Sequence, residues 1–168
     1  AENTPAEVYN ADGYTHAWQL PEANAQTLML GTAGRPVFMS DQGQFAVRQS
    51  RRQGAGAQSE EGAAAVRLPI RVTSGEWGFS NSAVASIGGE AGTAPEHQLD
   101  VYEPVTDRWT SYDMGIRRGY PTALTLPDLR TLIVGGAGSD ANTNVGYAQY
   151  WDPRDGSLTR SAEAFPEL

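Results

Sequence analysis

Few residues in this sequence can do chemistry. Its 168 positions hold two histidines, His16 and His97, seven tyrosines, 20 acidic and 12 basic residues, and no cysteine or lysine. Without cysteine there is no disulfide, thiolate nucleophile or Cys-type zinc site, although the compartment stays open. With every basic residue an arginine, Schiff-base chemistry and phosphate loops built on lysine are excluded. Glu60-Glu61 pairs two carboxylates in a polar stretch that offers no burial to tune an acid and a base. Ser139-Asp140-Ala141-Asn142-Thr143-Asn144 carries enough oxygens to suggest calcium; it lacks the glycine and terminal glutamate of an EF-hand loop and reads as an Asx-turn loop. No Gly-x-Ser-x-Gly, His-Glu-x-x-His or Ser–His–Asp order occurs. Two histidines so placed predict no metal site: His97, beside Glu96, reads as a surface residue and His16 as a turn residue. What remains for ligand recognition is Arg117-Arg118, which could clamp a carboxylate or sugar oxygens if it is not simply a solvated turn. Trp77 and Phe79 are candidate stacking contacts.

The charge balance narrows the partners. A net charge of −8, with no basic run longer than Arg51-Arg52, gives nucleic acid nothing to condense on. No apolar run approaches the roughly 18 residues of a membrane span. Ala1 in place of a methionine suggests a mature or excised chain.

The elements that must hold these residues come from an internal repeat. Leu99 to Trp109 reads as strand, Pro-containing turn and aromatic strand, and Ala148 to Leu158 repeats it with Pro104 and Pro153 49 residues apart. Each copy follows a short apolar strand closed by a glycine pair, Ala83 to Gly89 and Thr131 to Gly136, offset by 47 residues. A weaker copy, Ala6 to Gly13 followed by Trp18, lies about two periods upstream. This period, with strand, Gly-Gly, loop, strand, turn and aromatic strand, is that of a kelch-type β-propeller blade. The glycine pair lets the chain turn where side chains would clash, and the later Trp or Tyr fills the wedge between blades. No helix-period segment stands out, so the expected class is all-β, with one domain over 1–168. Residues 49–65 are expected to form an exposed polar loop between strands near Phe45-Ala46-Val47 and Arg67-Leu68-Pro69-Ile70.

Particular residues sharpen this to a family. The run Met114 to Ala123, followed by Leu126-Pro127-Asp128 and the strand to Gly135-Gly136, resembles the kelch propeller of galactose oxidase and glyoxal oxidase. Three further stretches are similar to the glyoxal oxidase branch. Trp18-Gln19-Leu20, Asn24-Ala25 and Arg35 to Met39 resemble its first blade. Arg67-Leu68-Pro69, Glu76-Trp77 and Ser80 to Gly89 resemble its second, and Val101 to Trp109 its third. The resemblance covers the first half of such an enzyme and implies a copper-radical oxidase reducing dioxygen to hydrogen peroxide. It places Tyr120 at the radical tyrosine, whereas Gly78 or Phe79 stands where the cross-linking cysteine would be. The remaining ligands would fall in a second half.

The reading that follows is three to three and a half blades of a larger, seven-bladed propeller. Tyr120 is expected to pack between blades with its hydroxyl near the axis. The expected role is a non-catalytic, pseudoenzyme-like module with a structural or interaction function, extracellular or at a cell surface, with no cofactor. Its expected partner is the remaining half of the propeller or another protein chain. The alternatives are a copper-dependent oxidase completed by a second half, and a carbohydrate-binding propeller that uses Arg117, Arg118, Trp77 and Phe79 on glycans.

Overall fold

The computed structural model describes residues 16–20, 26–30, 35–50, 62–68, 70–71, 77–78, 83–91, 94–95, 97–138 and 143–164. They form an all-β arc of three four-stranded antiparallel sheets, a partial β-propeller. Blade I is β1 (His16–Leu20), β2 (Gln26–Leu30), β3 (Pro36–Met39) and β4 (Phe45–Val47), paired in chain order. The chain continues through β5 (Ala64–Arg67), a ladder of β6 (Ile70–Arg71) with β7 (Trp77–Gly78), and β8 (Val84–Ile87). A second ladder, β9 (Glu90–Ala91) with β10 (Ala94–Pro95), precedes β11 (Gln98–Glu103) and β12 (Arg108–Asp113). Strands β5, β8, β11 and β12 make blade II. Blade III is β13 (Thr122–Thr125), β14 (Thr131–Val134), β15 (Gln149–Trp151) and β16 (Leu158–Arg160).

Side-chain alternation gives each blade two faces. In blade II, Val84 and Tyr102 face blade I and share a core with Leu20, Leu28, Leu30 and Phe38. Ala85, Ile87, Leu99 and Val101 point the other way and pack with Ile133 and Trp151 of blade III. Strand β8 is therefore buried along its whole length, whereas β12, with Arg108, Thr110, Ser111 and Asp113 exposed, is the solvated outer strand. Tyr102 and Trp151, equivalent in the repeat and placed before the turn, fill the wedge toward the preceding blade, whereas Trp109, the later aromatic expected there, is only partly buried against the same core and has Leu158 in its place in blade III. On the other side of each blade, β5 and β13 run together, with the Thr125 hydroxyl donating to Arg67 O at 2.9 Å.

Several expectations are corrected here. Val101 to Trp109 belongs to the same sheet as the Gly88-Gly89 strand, not to a blade of its own, because β11 pairs directly with β8. The loop expected over 49–65 is shorter. Ala64 and Ala65 are already strand, alternating into the blade II core, while Ser50 is bonded to Asp107; residues 51–61 lie outside the described residues. Ala6 to Gly13 lies outside them too. His16 begins a strand instead of a turn, and its Nε2–H donates to Ala63 O at 2.8 Å.

The β11–β12 turn shows how one repeat position is solved twice. Asp107 has φ 51° and its equivalent in blade III, Gly156, has φ 75°, so the turn requires the left-handed region at this residue. A carboxylate is used in blade II because it has work there. Its Oδ1 accepts from the Tyr102 hydroxyl at 3.0 Å and from Ser50 Oγ at 2.6 Å, and its Oδ2 accepts from Ser50 N at 3.2 Å. Burial opposes ionisation of Asp107, but the hydrogen bonds from Ser50 and Tyr102 and the nearby Arg48 outweigh it and hold the carboxyl below its usual range. Burial first, and then the Asp107 charge, push the Tyr102 phenol well above the ordinary tyrosine range.

A group with a depressed folded pKa stabilises fully above its unfolded value, about 3.9, and loses that contribution as pH falls through the folded one. Asp107→Ala is therefore expected to lower stability by about 2 kcal/mol at pH 7. Asp107→Gly, which keeps a backbone suited to this turn, should lose about 1 kcal/mol less. Urea unfolding at pH 7 and pH 3 checks both. The gap between wild type and Asp107→Ala must narrow at pH 3, and a gap that stays constant refutes the carboxylate's role.

Candidate functional site

Antiparallel pairing brings the end of β8, the start of β11, the end of β12 and the start of β13 to one edge of the arc, together with the β14–β15 connection. Residues 114–121 cross this edge from the outer strand of blade II to the inner strand of blade III. Both glycine pairs exist to receive that connector. Gly89 N–H donates to Arg118 O at 2.9 Å, and a Cβ on Gly88 (φ 62°) would lie 2.3 Å from the same oxygen. Gly119 and Ala137 exchange two hydrogen bonds of 2.8 and 2.7 Å, and a Cβ on Gly136 (φ 91°) would lie 2.6 Å from Gly119 O. Glycine is required where one backbone presses on another.

The three candidate residues on the connector diverge. Arg118 is not a solvated turn residue: it is 0% exposed. Its Nε donates to Gln149 Oε1 at 2.8 Å, Nη1 to Gly135 O at 2.6 Å and Nη2 to Tyr147 O at 2.9 Å, while Gln149 Nε2 returns a bond to Met114 O at 2.8 Å. Burial lowers its pKa from the ordinary arginine value, yet it stays a cation at any working pH. Its guanidinium fork is spent on the protein, which removes it from the ligand-binding candidates. Arg117, by contrast, is exposed and lines a cleft.

Tyr120 is turned toward the inner strands. It has φ 52° before a proline, a strained placement for a non-glycine residue, and is 49% exposed. Its ring lies over Gly62, where a Cβ would come within 2.2 Å of Cδ1. The expected packing role therefore takes the form of a half-exposed ring resting on a glycine. His16 reaches the adjacent Ala63, so His16 and Tyr120 both rest on the segment that opens β5. No sequence signal links these residues across the chain.

Of Trp77 and Gly78 the structure describes the backbone, in β7 opposite Arg71 and Ile70. Phe79 lies outside the described residues, as do Glu60-Glu61, Ser139 to Asn142 and Glu96. The copper implied by the resemblance has no set of ligands gathered for it among the described residues. Among the described residues no three of His, Cys, Asp or Glu converge, the His16 Nε2–H is committed to a carbonyl, and the chain has no cysteine for a thioether.

The cleft beside Arg117 measures about 630 Å³ and opens between blades II and III. Blade II contributes His97, Asp113 and Gly115 to Arg117; blade III contributes Gly138 and Thr143 to Tyr147. His97 Nδ1 meets Asp113 Oδ1 at 2.9 Å, and Gly115 N–H donates to the same oxygen at 2.7 Å. The Gly115 bond, and then the His97 bond, hold Asp113 below the usual carboxylate range. Tyr147 lies under two guanidiniums, Arg160 at 4.6 Å and Arg118 at 5.4 Å from its ring centre. The sequence pointed to Arg117 here but missed His97, Asp113 and Tyr147, which strand register and the β14–β15 connection bring to it.

Two substitutions test the connector. Gly43 (φ 78°) has open space around its Cβ position, so Gly43→Ala should cost only the left-handed penalty of about 1–2 kcal/mol. Gly88→Ala adds the clash with Arg118 O and should cost about 1–3 kcal/mol more. Arg118→Met strands one buried and two partly buried acceptors and should cost roughly 3 kcal/mol, lowering Tm by about 6–12 °C. Thermal and denaturant unfolding measure all three; equal costs for the two glycine variants would refute the close approach.

No protein-family model and no curated protein matches this chain. Among solved structures it is similar to a fungal alcohol oxidase of the AA5 family, described as catalytically diverse and solved in complex with copper. The TM-score is 0.66 at 15% identity, over 85% of this chain and 30% of that one. The chain thus spans less than a third of that oxidase, and the two share the propeller fold.

Proposed function

We propose that this chain is part of a kelch-type propeller that acts as a structural and interaction module, in a secreted or cell-surface protein related to galactose and glyoxal oxidases, without their radical chemistry. The observation that carries this reading is the surroundings of Tyr120. The residue at the radical-tyrosine position has its ring against Gly62, and no cysteine exists in the chain to cross-link it. A tyrosine without a thioether lacks the group that stabilises the unpaired electron in the enzymes it resembles. The propeller motifs are meanwhile intact, and the blade-to-blade interfaces are well packed.

The interaction role rests on the outward face of blade III. By the 47-residue offset, Leu132 and Val134 occupy the positions of Ala85 and Ile87, which in blade II are buried against the next blade. In blade III they are partly exposed, beside Leu124 at 43% exposure and Tyr150. Further blades, from the parent protein or a partner, are the natural cover for this face.

The test is oxidase activity of the complete, copper-loaded protein on simple aldehydes and primary alcohols, read as hydrogen peroxide and as a tyrosyl-radical signal in electron paramagnetic resonance. The expected result is neither peroxide nor radical. Sustained peroxide production with either substrate class overturns the reading.

A further inference from the structure

We propose that the outer edge of blade II is an association surface for a second copy of this chain, with β12 paired antiparallel to β12 of that copy about a twofold axis at Ser111. The surface is separate from the outward face of blade III and goes beyond the scaffold role proposed above.

The first support is the backbone of β12. Met114 N–H donates to His97 O, and Gln98 stands opposite Asp113, so the backbone groups of Arg108, Thr110 and Tyr112 turn inward to β11. Those of Trp109, Ser111 and Asp113 turn outward, and among the described residues no strand pairs with β12 on that side. Sheet edges are ordinarily blunted by shortness, proline, a bulge or a central charge. The other two outer strands, β4 and β16, have three residues each, whereas β12 has six. It forms an unbroken ladder with β11, contains no proline or glycine and keeps its charges to the two ends, while Thr110 and Ser111 at its middle are exposed. Such an outward row of N–H and C=O groups is matched by another extended backbone.

The second support is charge, which selects the occupant and its register. Strand β12 carries Arg108 at one end and Asp113 at the other, where Gly115 N–H and His97 hold the Asp113 carboxylate. An antiparallel copy brings each arginine to the end that holds the other copy's aspartate, whereas a parallel copy sets like beside like. A twofold axis between antiparallel strands keeps every side chain on its own face of the sheet, so it lies between one residue and the same residue of the second copy. Centred on Thr110, it would set Asp113 against Asp107 of the other copy, two carboxylates. Centred on Ser111, it sets Ser111 against itself, Thr110 against Tyr112 and Asp113 against Trp109. No like charges are then directly opposed, and the outward groups of all three residues are used, in about six hydrogen bonds. An unrelated extended peptide would meet the same backbone without that match of ends.

One pair of short strands buries less than a standard interface, so the dimer is expected to be weak, with a dissociation constant of roughly 10⁻⁵–10⁻³ M. The experiment is sedimentation equilibrium of the chain across that concentration range, with amide hydrogen exchange followed by nuclear magnetic resonance at its two ends. A reversible monomer–dimer equilibrium is expected, in which the amides of Trp109, Ser111 and Asp113 gain protection at high concentration while those of Thr110 and Tyr112 do not change. Ser111→Lys and Ser111→Asp each set like charges across the axis and should weaken the dimer about three- to fivefold. An equimolar mixture of the two variants sets opposite charges there and should recover it. Ser111 is exposed, and each variant's amide spectrum reports its fold directly. A chain that stays monomeric, a dimer without protection at the three outward amides, or a mixture no stronger than either variant alone overturns the proposal. Assembly beyond a dimer, or a dimer dissolved by Leu132→Asp and not by Ser111→Lys, also overturns it and assigns the association to the outward face of blade III.

Discussion

The arrangement of the second and third blades depends on one backbone contact, the seating of Arg118 and Gly119 between two glycine turns. A propeller has no hydrogen-bond ladder running from blade to blade, so something other than sheet pairing must set the angle between neighbours. Here the connector does so. Its carbonyl at Arg118 is taken by blade II, its amide and carbonyl at Gly119 by blade III, and the Arg118 side chain reaches three separate points of blade III. The guanidinium thereby replaces the ladder that the interface cannot have. Apolar packing around Trp151 and Ile133 fills the wedge but has no direction of its own; the hydrogen bonds give it one.

The connector also explains why the chemistry-bearing residues separate. Within four positions it sends Arg117 to the cleft, Arg118 to the interior and Tyr120 to the inner strands. A segment fixed at both glycine turns cannot let neighbouring side chains share one site. This is why two adjacent arginines, indistinguishable in sequence, have unrelated roles.

Much of the fold was legible in the sequence because its signals are periodic. The glycine pairs, the Pro-containing turns and the aromatics before them recur at fixed offsets, and Tyr102 and Trp151 occupy equivalent places. What was not legible came from contacts with no period. Nothing in Arg117-Arg118 says which guanidinium is inside, since the three acceptors of Arg118 are two backbone carbonyls and a glutamine far along the chain. The pairing of His97 with Asp113 follows from the register of β11 against β12, which places Gln98 opposite Asp113. The family's blade boundaries misplaced Val101 to Trp109 for a similar reason: local similarity does not say which sheet a strand joins.

The partners of Arg118 all come later in the chain. Gly135, Tyr147 and Gln149 leave the ribosome after it, as do Ile133 and Trp151, which cover the second blade's apolar face. Until they emerge, blade II exists with an uncovered hydrophobic surface and a guanidinium still in water. Completion of each blade thus finishes the one before it, and a nascent chain that stalls just past residue 121 is left with that apolar face exposed.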